Sequence, residues 1–460
     1  MTNWIGQRVL ILGAARQGLA LARYLVRQGA QVTLNDQRSA EQLPAARQAH
    51  VGLPILWVLG EHPLALLDQT DLVCVSGGIP LTLPIIQEAQ RRGLPLTNDS
   101  QIFMDAVPCP VIGITGSAGK TTTTTLVGRM AQAAVKSPQK AWIGGNIGLP
   151  LVDHLEEIKP EDFVILELSS FQLEQMTTSP HIAAILNITP NHLDRHGTIE
   201  AYTNAKARLI QFQDKDDFAV LNPADAGSWG LRSAVAGHLI TFSLQHPPLG
   251  HPGTFCQDDG VWFYDGKQDV MILPLNTILL RGIHNLYNVL AACAIAFAAG
   301  FPVKAMQSGV KGFGGVPHRL ELVRTWQGST WYNDSIATAP ERTAAAIHSF
   351  DEPLVLLLGG RDKNLPWDDL ANLIHQRVDH VILFGEASEK IQNAIGPLEL
   401  GRRPYSLETC RDLSEAVQAA AQVAQPGDVV LLSPGGTSYD QFTDFEERGE
   451  RFIEWVKQLP

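Results

Sequence analysis

The chain has 460 residues, of which 45% are hydrophobic and 18% are charged, which is ordinary for a globular protein and too long for one hydrophobic core. Its formal net charge of −12 excludes a general nucleic-acid-binding protein, because such proteins need a basic surface. The five cysteines stand far apart and form no Cys-x-x-Cys pair, which excludes a disulfide framework and a cysteine-based zinc site and favours a reducing compartment. They are Cys74, Cys109, Cys256, Cys293 and Cys410.

Two apolar segments are too short to cross a bilayer. RVLILGA near the N-terminus leads into a glycine turn and is interpreted as a first β-strand. VLAACAIAFAAGF, at 289–301, ends at Pro302 and is interpreted as a buried helix. We therefore expect a cytoplasmic protein with no membrane insertion.

Three stretches run from a short apolar strand into a glycine-rich turn and then into a segment that can form a helix. They are RVLILGAARQG at 8–18, VIGITGSAGK at 111–120 and LVLLLGGRDK at 354–363. Each is typical of the opening of a parallel α/β unit, so the fold class is α/β with three domains. Proline- and glycine-rich stretches at 106–110 and 309–321 place linkers between them. The predicted domains are 1–108, 109–315 and 316–460.

The first domain is predicted to be Rossmann-like, with RVLILG, QVTLND, DLVCVSGG and LPLTN as strands. Asp36 ends the second strand, where an acidic residue commonly meets a ribose hydroxyl. Gly13 and Gly18 occupy the first and third positions of G-x-G-x-x-G, but Ala15 replaces the middle glycine. This departure disfavours a nicotinamide cofactor in the usual pose and favours another nucleotide.

The central domain is predicted to be P-loop ATPase-like, with a parallel sheet and a small β insertion. GHLITFSL, GTFCQDD and GVWFYDG alternate apolar and polar residues and are interpreted as β-hairpins, with Asp259-Gly260 as a tight turn. The third domain is predicted to be Rossmann-like.

GITGSAGKTTTTT, at 113–125, has the character of a phosphate-binding loop. A Walker A motif would have glycine at position 114, where this chain has Ile114. Gly116, Gly119 and Lys120 still allow backbone N–H groups and a cation to converge on phosphate, and Thr121 can offer its hydroxyl to Mg²⁺. The alternative is a glycine turn with a solvated lysine.

Three further sites carry titratable side chains where strands or helices would present them. Glu167 ends the apolar strand FVILELSS and could hold Mg²⁺, or else cap a neighbouring helix. In NHLDRHG, at 191–197, His192, Asp194 and His196 could bind a metal or act as a base, or be exposed. Lys206 lies on the predicted helix 200–211, where a lysine is more commonly a solvated charge.

Seven ordered motifs resemble those of the Mur ligases, over nearly the whole chain. They are GSAGKT, ELSSFQLE, NHLDRHG, NAKARL, GIHNLYN, HRLE and NDSIATAP. SSFQLE, the Rossmann-like first domain and GGNIG at 144–148 are most similar to the members of the family that add D-glutamate. The alternatives are another Mur-like or folylpolyglutamate-type amino-acid ligase and, from a different class, a nucleotide-dependent regulatory protein.

The resemblance implies an enzyme of peptidoglycan precursor synthesis, an acid–D-amino-acid ligase that uses ATP to activate a carboxylate as an acyl phosphate for attack by an amine. The implied ligands are ATP, UDP-N-acetylmuramoyl-L-alanine, D-glutamate and two Mg²⁺ ions, and we expect a monomer. The catalytic residues would be Lys120, Glu167, His192 and Lys206. The metal ligands would be Thr121, Glu167, His192 and Lys206, with the lysine carbamylated by CO₂.

The resemblance also implies three sets of binding residues. The set for ATP is Gly116, Ser117, Ala118, Gly119, Lys120, Thr121, Thr122, Asn285, Arg319 and Asp334. The set for the UDP-substrate is Arg16, Gln17, Asp36, Gln37, Arg38, Ser76, Gly78, Asn146 and His192. The set for D-glutamate is Thr338, Lys363, Ser438, Tyr439 and Phe445. One departure is Ile336, which follows NDS where the family often has lysine.

Overall fold

In a computed structural model that describes residues 3–460, apart from the side chain of Asp194, the chain forms three β-sheets flanked by helices. The first two sheets belong to one compact unit, which includes residues up to 278 and residues 284–311. The third sheet belongs to a second unit, formed by residues 279–283 and 312–460. The predicted α/β class is confirmed, whereas the exact domain boundaries stay predictions.

The N-terminal sheet has five parallel strands in the order β3-β2-β1-β4-β5. Its strands are β1 (Arg8–Leu12), β2 (Gln31–Asp36), β3 (Ile55–Leu59), β4 (Leu72–Val75) and β5 (Leu96–Thr97). Its helices are α1 (Arg16–Arg27), α2 (Pro44–Ala49), α3 (Pro84–Arg91) and α4 (Asp99–Ala106). Four of these strands were predicted from the sequence, whereas the edge strand β3 was not.

A glycine at the start of α1 lets the helix approach the first strand closely. A Cβ atom on Gly18 would lie 2.0 Å from the backbone oxygen of Gly13. Only glycine fits this contact at position 18, and Gly13 has φ of +104°, a conformation that other residues rarely adopt.

The central sheet has nine strands in the order β14-β13-β12-β11-β10-β9-β6-β8-β7. The strands are β6 (Val111–Thr115), β7 (Ala141–Gly145), β8 (Phe163–Glu167), β9 (Ile182–Ile185), β10 (Phe218–Leu221), β11 (His238–Phe242), β12 (Gly253–Gln257), β13 (Gly260–Tyr264) and β14 (Asp269–Pro274). The helices are α5 (Lys120–Ala134), α6 (Ser170–Leu173), α7 (Leu193–His196), α8 (Ile199–Gln211), α9 (Ala226–Gly230), α10 (Ile283–Ala298) and α11 (Val303–Val310). The buried helix predicted for 289–301 corresponds to α10 and the turn after it.

The predicted β insertion is an extension of this sheet. β12 and β13 form the expected antiparallel hairpin, and β14 adds a further antiparallel strand. The interpretation of GHLITFSL as a hairpin strand was wrong, because β11 pairs in parallel with both β10 and β12. Alternation of apolar and polar residues identified a strand there but could not identify its neighbours.

The C-terminal sheet has six strands in the order β15-β16-β20-β17-β18-β19, of which only the β15/β16 pair is antiparallel. The strands are β15 (Glu321–Trp326), β16 (Ser329–Asn333), β17 (Leu354–Gly359), β18 (Val378–Phe384), β19 (Ser406–Cys410) and β20 (Val429–Gly435). The helices are α12 (Pro340–Ile347), α13 (Asp368–Arg377), α14 (Ser388–Ile395), α15 (Leu413–Val423) and α16 (Phe445–Gln458). Its central strands are buried on both faces, as parallel sheets require.

One hydrophobic core runs through both sheets of the first unit, from Leu25 on α1 to Leu166 on β8. The Arg23 guanidinium reinforces this junction by donating to Asp153, with Nε 3.1 Å from Oδ1. The N-terminal and central sheets are therefore packed as one body. Nowhere in residues 3–460 does a helix combine the length and the hydropathy needed to span a membrane.

Candidate active site

A cavity of about 480 Å³ in the first unit is lined by residues from both the N-terminal and the central sheet regions. It brings together eight of the residues predicted from the sequence. They are Arg16, Gln17, Ser76, Gly78, Lys120, Asn146, His192 and Lys206. Residues predicted for the UDP-substrate and for catalysis therefore face the same space.

The phosphate-binding loop leads from β6 into α5, and the backbone conformation just before α5 requires a glycine. Gly119 has φ of +82°, and a Cβ atom there would lie 2.2 Å from Oδ1 of Asn288. The backbone N–H of Ala118 donates to Oδ1 of Asn187 at 2.8 Å, which holds the loop against the end of β9. Lys120 is the first residue of α5, and its Nζ donates to the Gly116 oxygen at 3.0 Å. The loop thus combines a helix N-terminus with a lysine, as anion binding requires.

The rest of the predicted ATP set in this unit surrounds α5. Ser117 donates from its hydroxyl to the Thr189 oxygen at 2.9 Å and lies 3.1 Å from the hydroxyl of Tyr202. Thr121 is partly exposed, whereas Thr122 is buried. Asn285 on α10 accepts a hydrogen bond from Asn288 at 3.0 Å.

Lys206 is buried, with 1% of its surface exposed, so the expectation of a solvated charge was wrong. Its Nζ donates to the Gly116 oxygen at 3.0 Å and to Oγ1 of Thr115 at 3.3 Å, and it lies over the Tyr202 ring. Burial, together with the positive charge of Lys120, lowers the pKa of Lys206 to about 7. A substantial fraction of this amine is therefore neutral near neutral pH.

Glu167 ends β8 and is 1% exposed. Its Oε1 accepts a hydrogen bond from the Asn146 amide at 3.0 Å, while the buried Oε2 has no hydrogen-bond partner among the described residues. A buried carboxylate oxygen without a donor is costly, and a cation would satisfy it. Glu167 does not cap the neighbouring helix α6, because Ser169 is the N-cap residue of that helix.

The NHLDRHG segment lies beside the cavity and forms the short helix α7. His192 adopts a left-handed conformation, with φ of +54°, and its ring packs edge-on against Phe171 at 5.2 Å. His196 stacks on the same ring at 5.2 Å and lies 3.0 Å from the Ser170 hydroxyl. Of the three polar residues considered in this segment, Asp194 has its side chain outside the described part.

The N-terminal residues predicted to bind a nucleotide cluster at the ends of β1, β2 and β4. Burial alone would raise the pKa of Asp36, but hydrogen bonds from the Arg38 guanidinium and backbone and from Ala14 N–H lower it to about 2. Gln17 donates to the Gly145 oxygen at 2.6 Å, across to β7. Ser76 donates to the Gly13 oxygen at 3.4 Å. Arg16 and Gln37 are exposed.

The second unit contains Arg319, Asp334 and the residues predicted to bind D-glutamate. Burial raises the pKa of Asp334 to about 7, although Ser433 donates to its carboxylate at 2.8 Å and the Leu320 N–H at 3.2 Å. Arg319 contributes a nearby positive charge that opposes this rise. Asp334 therefore begins a buried polar cluster at the end of β16.

Two of the predicted D-glutamate residues contact each other. Nζ of Lys363 donates to Oγ1 of Thr338 at 3.1 Å. Ser438 is buried, Tyr439 is 62% exposed, and Phe445 is the first residue of α16. Ile336, which lies between Asp334 and Thr338 in the chain, is half-buried, and its side chain brings no charge to this position.

Models of three protein domains match the chain in order. The Mur ligase MurD-like N-terminal domain matches residues 7–98, the Mur ligase middle domain residues 114–296, and the Mur ligase glutamate ligase domain residues 318–436. The chain belongs to the Mur ligase family.

Curated relatives cover this Mur ligase almost end to end. A UDP-N-acetylmuramoylalanine–D-glutamate ligase of Symbiobacterium thermophilum is 42% identical over 455 residues, covering 98% of both chains. One from Koribacter versatilis is 39% identical, covering 99% of this chain and 98% of its own.

Solved structures share the fold of this Mur ligase. A UDP-N-acetylmuramate–alanine ligase from Thermotoga maritima has a TM-score of 0.57 at 19% identity, covering 98% of this chain and 99% of its own. The MurF ligase from the same organism, in complex with ADP, has a TM-score of 0.55 at 17% identity, covering 100% and 99%.

Three residues that support the predicted sites of this Mur ligase were not predicted from the sequence. The hydroxyl of Thr115 donates to the Leu168 oxygen at 2.7 Å and accepts a hydrogen bond from Nζ of Lys206. The fully buried Arg448 donates to Ser335 and to the Gly436 oxygen, joining two loops of the second unit. Asp99 lines the cavity from the start of α4. The threonine stands inside a motif and Arg448 in a charged helix, so neither pattern distinguished them from their neighbours.

Proposed function

We propose that this Mur ligase uses ATP to join D-glutamate to UDP-N-acetylmuramoyl-L-alanine in peptidoglycan precursor synthesis. The observation that carries the proposal is the relative of that activity at 42% identity across 98% of both chains. The cavity of the first unit supports it, because it combines a phosphate-binding lysine with polar residues from the N-terminal sheet.

The reaction needs an activated carboxylate. The substrate carboxylate oxygen attacks the γ-phosphorus of ATP, ADP leaves, and an acyl phosphate forms. The amine of D-glutamate then attacks the acyl carbon, phosphate leaves as the C–O bond breaks, and the amine loses a proton. Lys120 and the N–H groups at the start of α5 would hold the phosphates and stabilise their charge, so positioning and electrostatics provide the catalysis.

The residues of the site fit Mg²⁺. No three His, Cys, Asp or Glu side chains are grouped as a metal site within the described residues, but Mg²⁺ commonly uses few protein ligands besides water and phosphate. Oε2 of Glu167, which has no hydrogen-bond partner in the described part of the chain, and the hydroxyl of Thr121 would serve the first ion. His192 and a modified Lys206 would serve the second. Bound Mg²⁺ would neutralise the charge of the phosphates and the substrate carboxylate.

A carbamate on Lys206 is supported by the surroundings of its amine. Only a neutral amine attacks CO₂, and the lowered pKa provides that form near neutral pH. Reaction with CO₂ releases one proton and converts the amine into an anionic group with two oxygens. That anion would be favoured by the neighbouring Lys120 and would attract Mg²⁺, which the ammonium form repels.

The remaining assignments follow the three sheets. We propose that residues 1–108 hold the UDP moiety through Arg16, Gln17, Asp36, Gln37, Arg38, Ser76 and Gly78, with Asn146 contributed by residues 109–315. Asn285, Arg319 and Asp334 would complete the ATP site. In residues 316–460, Lys363, Thr338, Ser438, Tyr439 and Phe445 would bind D-glutamate, whose two carboxylates suit a lysine and hydroxyl donors.

The test is mass spectrometry of the product formed from UDP-N-acetylmuramoyl-L-alanine, ATP and Mg²⁺ with a panel of amino acids. We expect a product with one added glutamate from D-glutamate and no product from L-glutamate, L-alanine or diaminopimelate. Replacing the exposed Lys215 with methionine is the control for the loss expected of Lys120→Met. Turnover with another amino acid but not D-glutamate would refute the substrate, and ADP release that needs neither co-substrate would refute ligation.

A further inference from the structure

Arg195 on α7 connects the central region to a loop of the N-terminal sheet. Its guanidinium donates from Nη1 to the Gly78 oxygen and from Nη2 to the Ile79 oxygen, both at 3.3 Å. Gly78 lines the cavity, and Arg195 itself does not belong to any of the binding sets above. One side chain thus holds two consecutive carbonyl groups of the predicted UDP-binding region.

An aromatic ring holds the guanidinium in place. Cζ of Arg195 lies 4.4 Å from the centroid of the Phe171 ring, and His196 stacks on the same ring with an interplanar angle of 2°. A planar guanidinium can stack on a ring and still offer two parallel donors, which an ammonium cannot do. The contact therefore depends on the shape of arginine as well as its charge.

The residues on either side of Gly78 are anchored to the N-terminal sheet, whereas Gly78 itself is open. The Ser76 N–H donates to the Leu12 oxygen, and the Ile79 N–H donates to the Ser76 oxygen at 2.9 Å. The Ile79 side chain packs against the core formed by Leu10, Leu12 and Val75. A Cβ atom on Gly78, in contrast, would have nothing within 4 Å. Glycines give phosphate oxygens close access to backbone N–H groups, provided that the loop keeps one conformation. Arg195 adds the two hydrogen bonds that fix the carbonyl groups of Gly78 and Ile79.

We propose that Arg195 is a positioning residue for the UDP-substrate, fixing the Gly78–Ile79 segment in the conformation that binds a nucleoside diphosphate. This inference rests on the proposed function. Without Arg195, binding would have to order the loop, and the diphosphate would lose affinity while the ATP-binding loop would be unaffected.

The experiment is calorimetric titration of the full chain with UDP and, separately, with ADP. Arg195→Ala and Arg195→Lys are expected to raise Kd for UDP about tenfold, equivalent to about 1.4 kcal/mol, and to leave Kd for ADP unchanged. Arg232→Ala is the matched control, because Arg232 also lies over an aromatic ring, Trp229 at 5.3 Å, and donates to a carbonyl, at a place remote from the cavity lining.

A second variant keeps the inference testable if Arg195→Ala unfolds. Phe171→Leu leaves the arginine but removes the ring beneath it, and we expect it to weaken UDP binding in the same direction. If both act through one contact, the double variant loses no more than the single arginine variant.

Each result has a distinct meaning. Wild-type affinity in Arg195→Lys would show that charge alone matters and would overturn positioning. Unchanged UDP affinity in Arg195→Ala would overturn the inference and leave the proposed function intact. Failure of the wild-type chain to bind UDP would overturn both.

Discussion

Replacing the buried Lys206 with methionine is expected to stabilise the fold while removing activity. Methionine matches the length of lysine without its charge, and the hydrogen bonds lost are those to Thr115 and Gly116. The pKa of the amine falls from 10.5 to about 7 in the folded chain. At about 1.36 kcal/mol per pKa unit, the buried ammonium costs about 4–5 kcal/mol at pH 7 or below.

The sign of the pH dependence follows from the direction of this shift. The folded-state pKa lies below the unfolded-state pKa, so between pH 7 and 10.5 the unfolded chain binds more protons. Wild-type stability should therefore rise with pH across this window. The advantage of Lys206→Met should be largest at pH 7 and below, and fall to about 1 kcal/mol at pH 9.5.

Scanning calorimetry at pH 6.5, 8 and 9.5, in CO₂-free buffer with EDTA, measures this directly. An increase in Tm on the order of 10 °C is expected for the first unit at pH 6.5, with a smaller increase at each higher pH. Lys215→Met, which removes an exposed lysine, should leave Tm nearly unchanged. A Tm difference that is absent, negative or independent of pH would refute the claim that the buried amine is destabilising.

Three further changes test other parts of the site. Burial raises the pKa of Asp99 to about 6, so Asp99→Asn should raise Tm above pH 6, and the gain should disappear below about pH 4 in the same calorimetric series. Glu167→Gln should lower kcat at least about 100-fold in a protein that still unfolds cooperatively, and a fully active variant would exclude this carboxylate from metal binding. Lys363→Met should raise KM for D-glutamate at least about tenfold and leave KM for ATP unchanged, and equal effects on both would contradict a role in amino-acid binding.

Local patterns predicted much of the fold. The predicted helix at 200–211 is α8 at Ile199–Gln211, and the Asp259-Gly260 turn joins β12 to β13. The phosphate-binding loop leads into α5 as expected. These features are set by turn chemistry and by residues a few positions apart, which a sequence displays directly.

Strand pairing and side-chain burial were harder to predict from the sequence. β3 was missed because ILWVL is a short apolar run at a sheet edge, and β11 was given the wrong partner because strand alternation does not specify a neighbour. Lys206 was weighed as a solvated charge, since nothing in NAKARL shows what packs against the helix. Its burial results from contacts with Thr115 and Gly116, both distant in sequence, and with Tyr202, four residues earlier on the same helix.

The sequence by itself determined the α/β class, the phosphate-binding loop and membership of the Mur ligase family, because turn glycines and ordered motifs lie within short stretches of the chain. Only the tertiary structure decided that Lys206 is a buried amine with a lowered pKa, that one Glu167 oxygen has no donor among the described residues, and that Arg195 reaches the Gly78–Ile79 segment. Those properties depend on desolvation and on charges brought together from separate helices and strands, and no linear spacing encodes them.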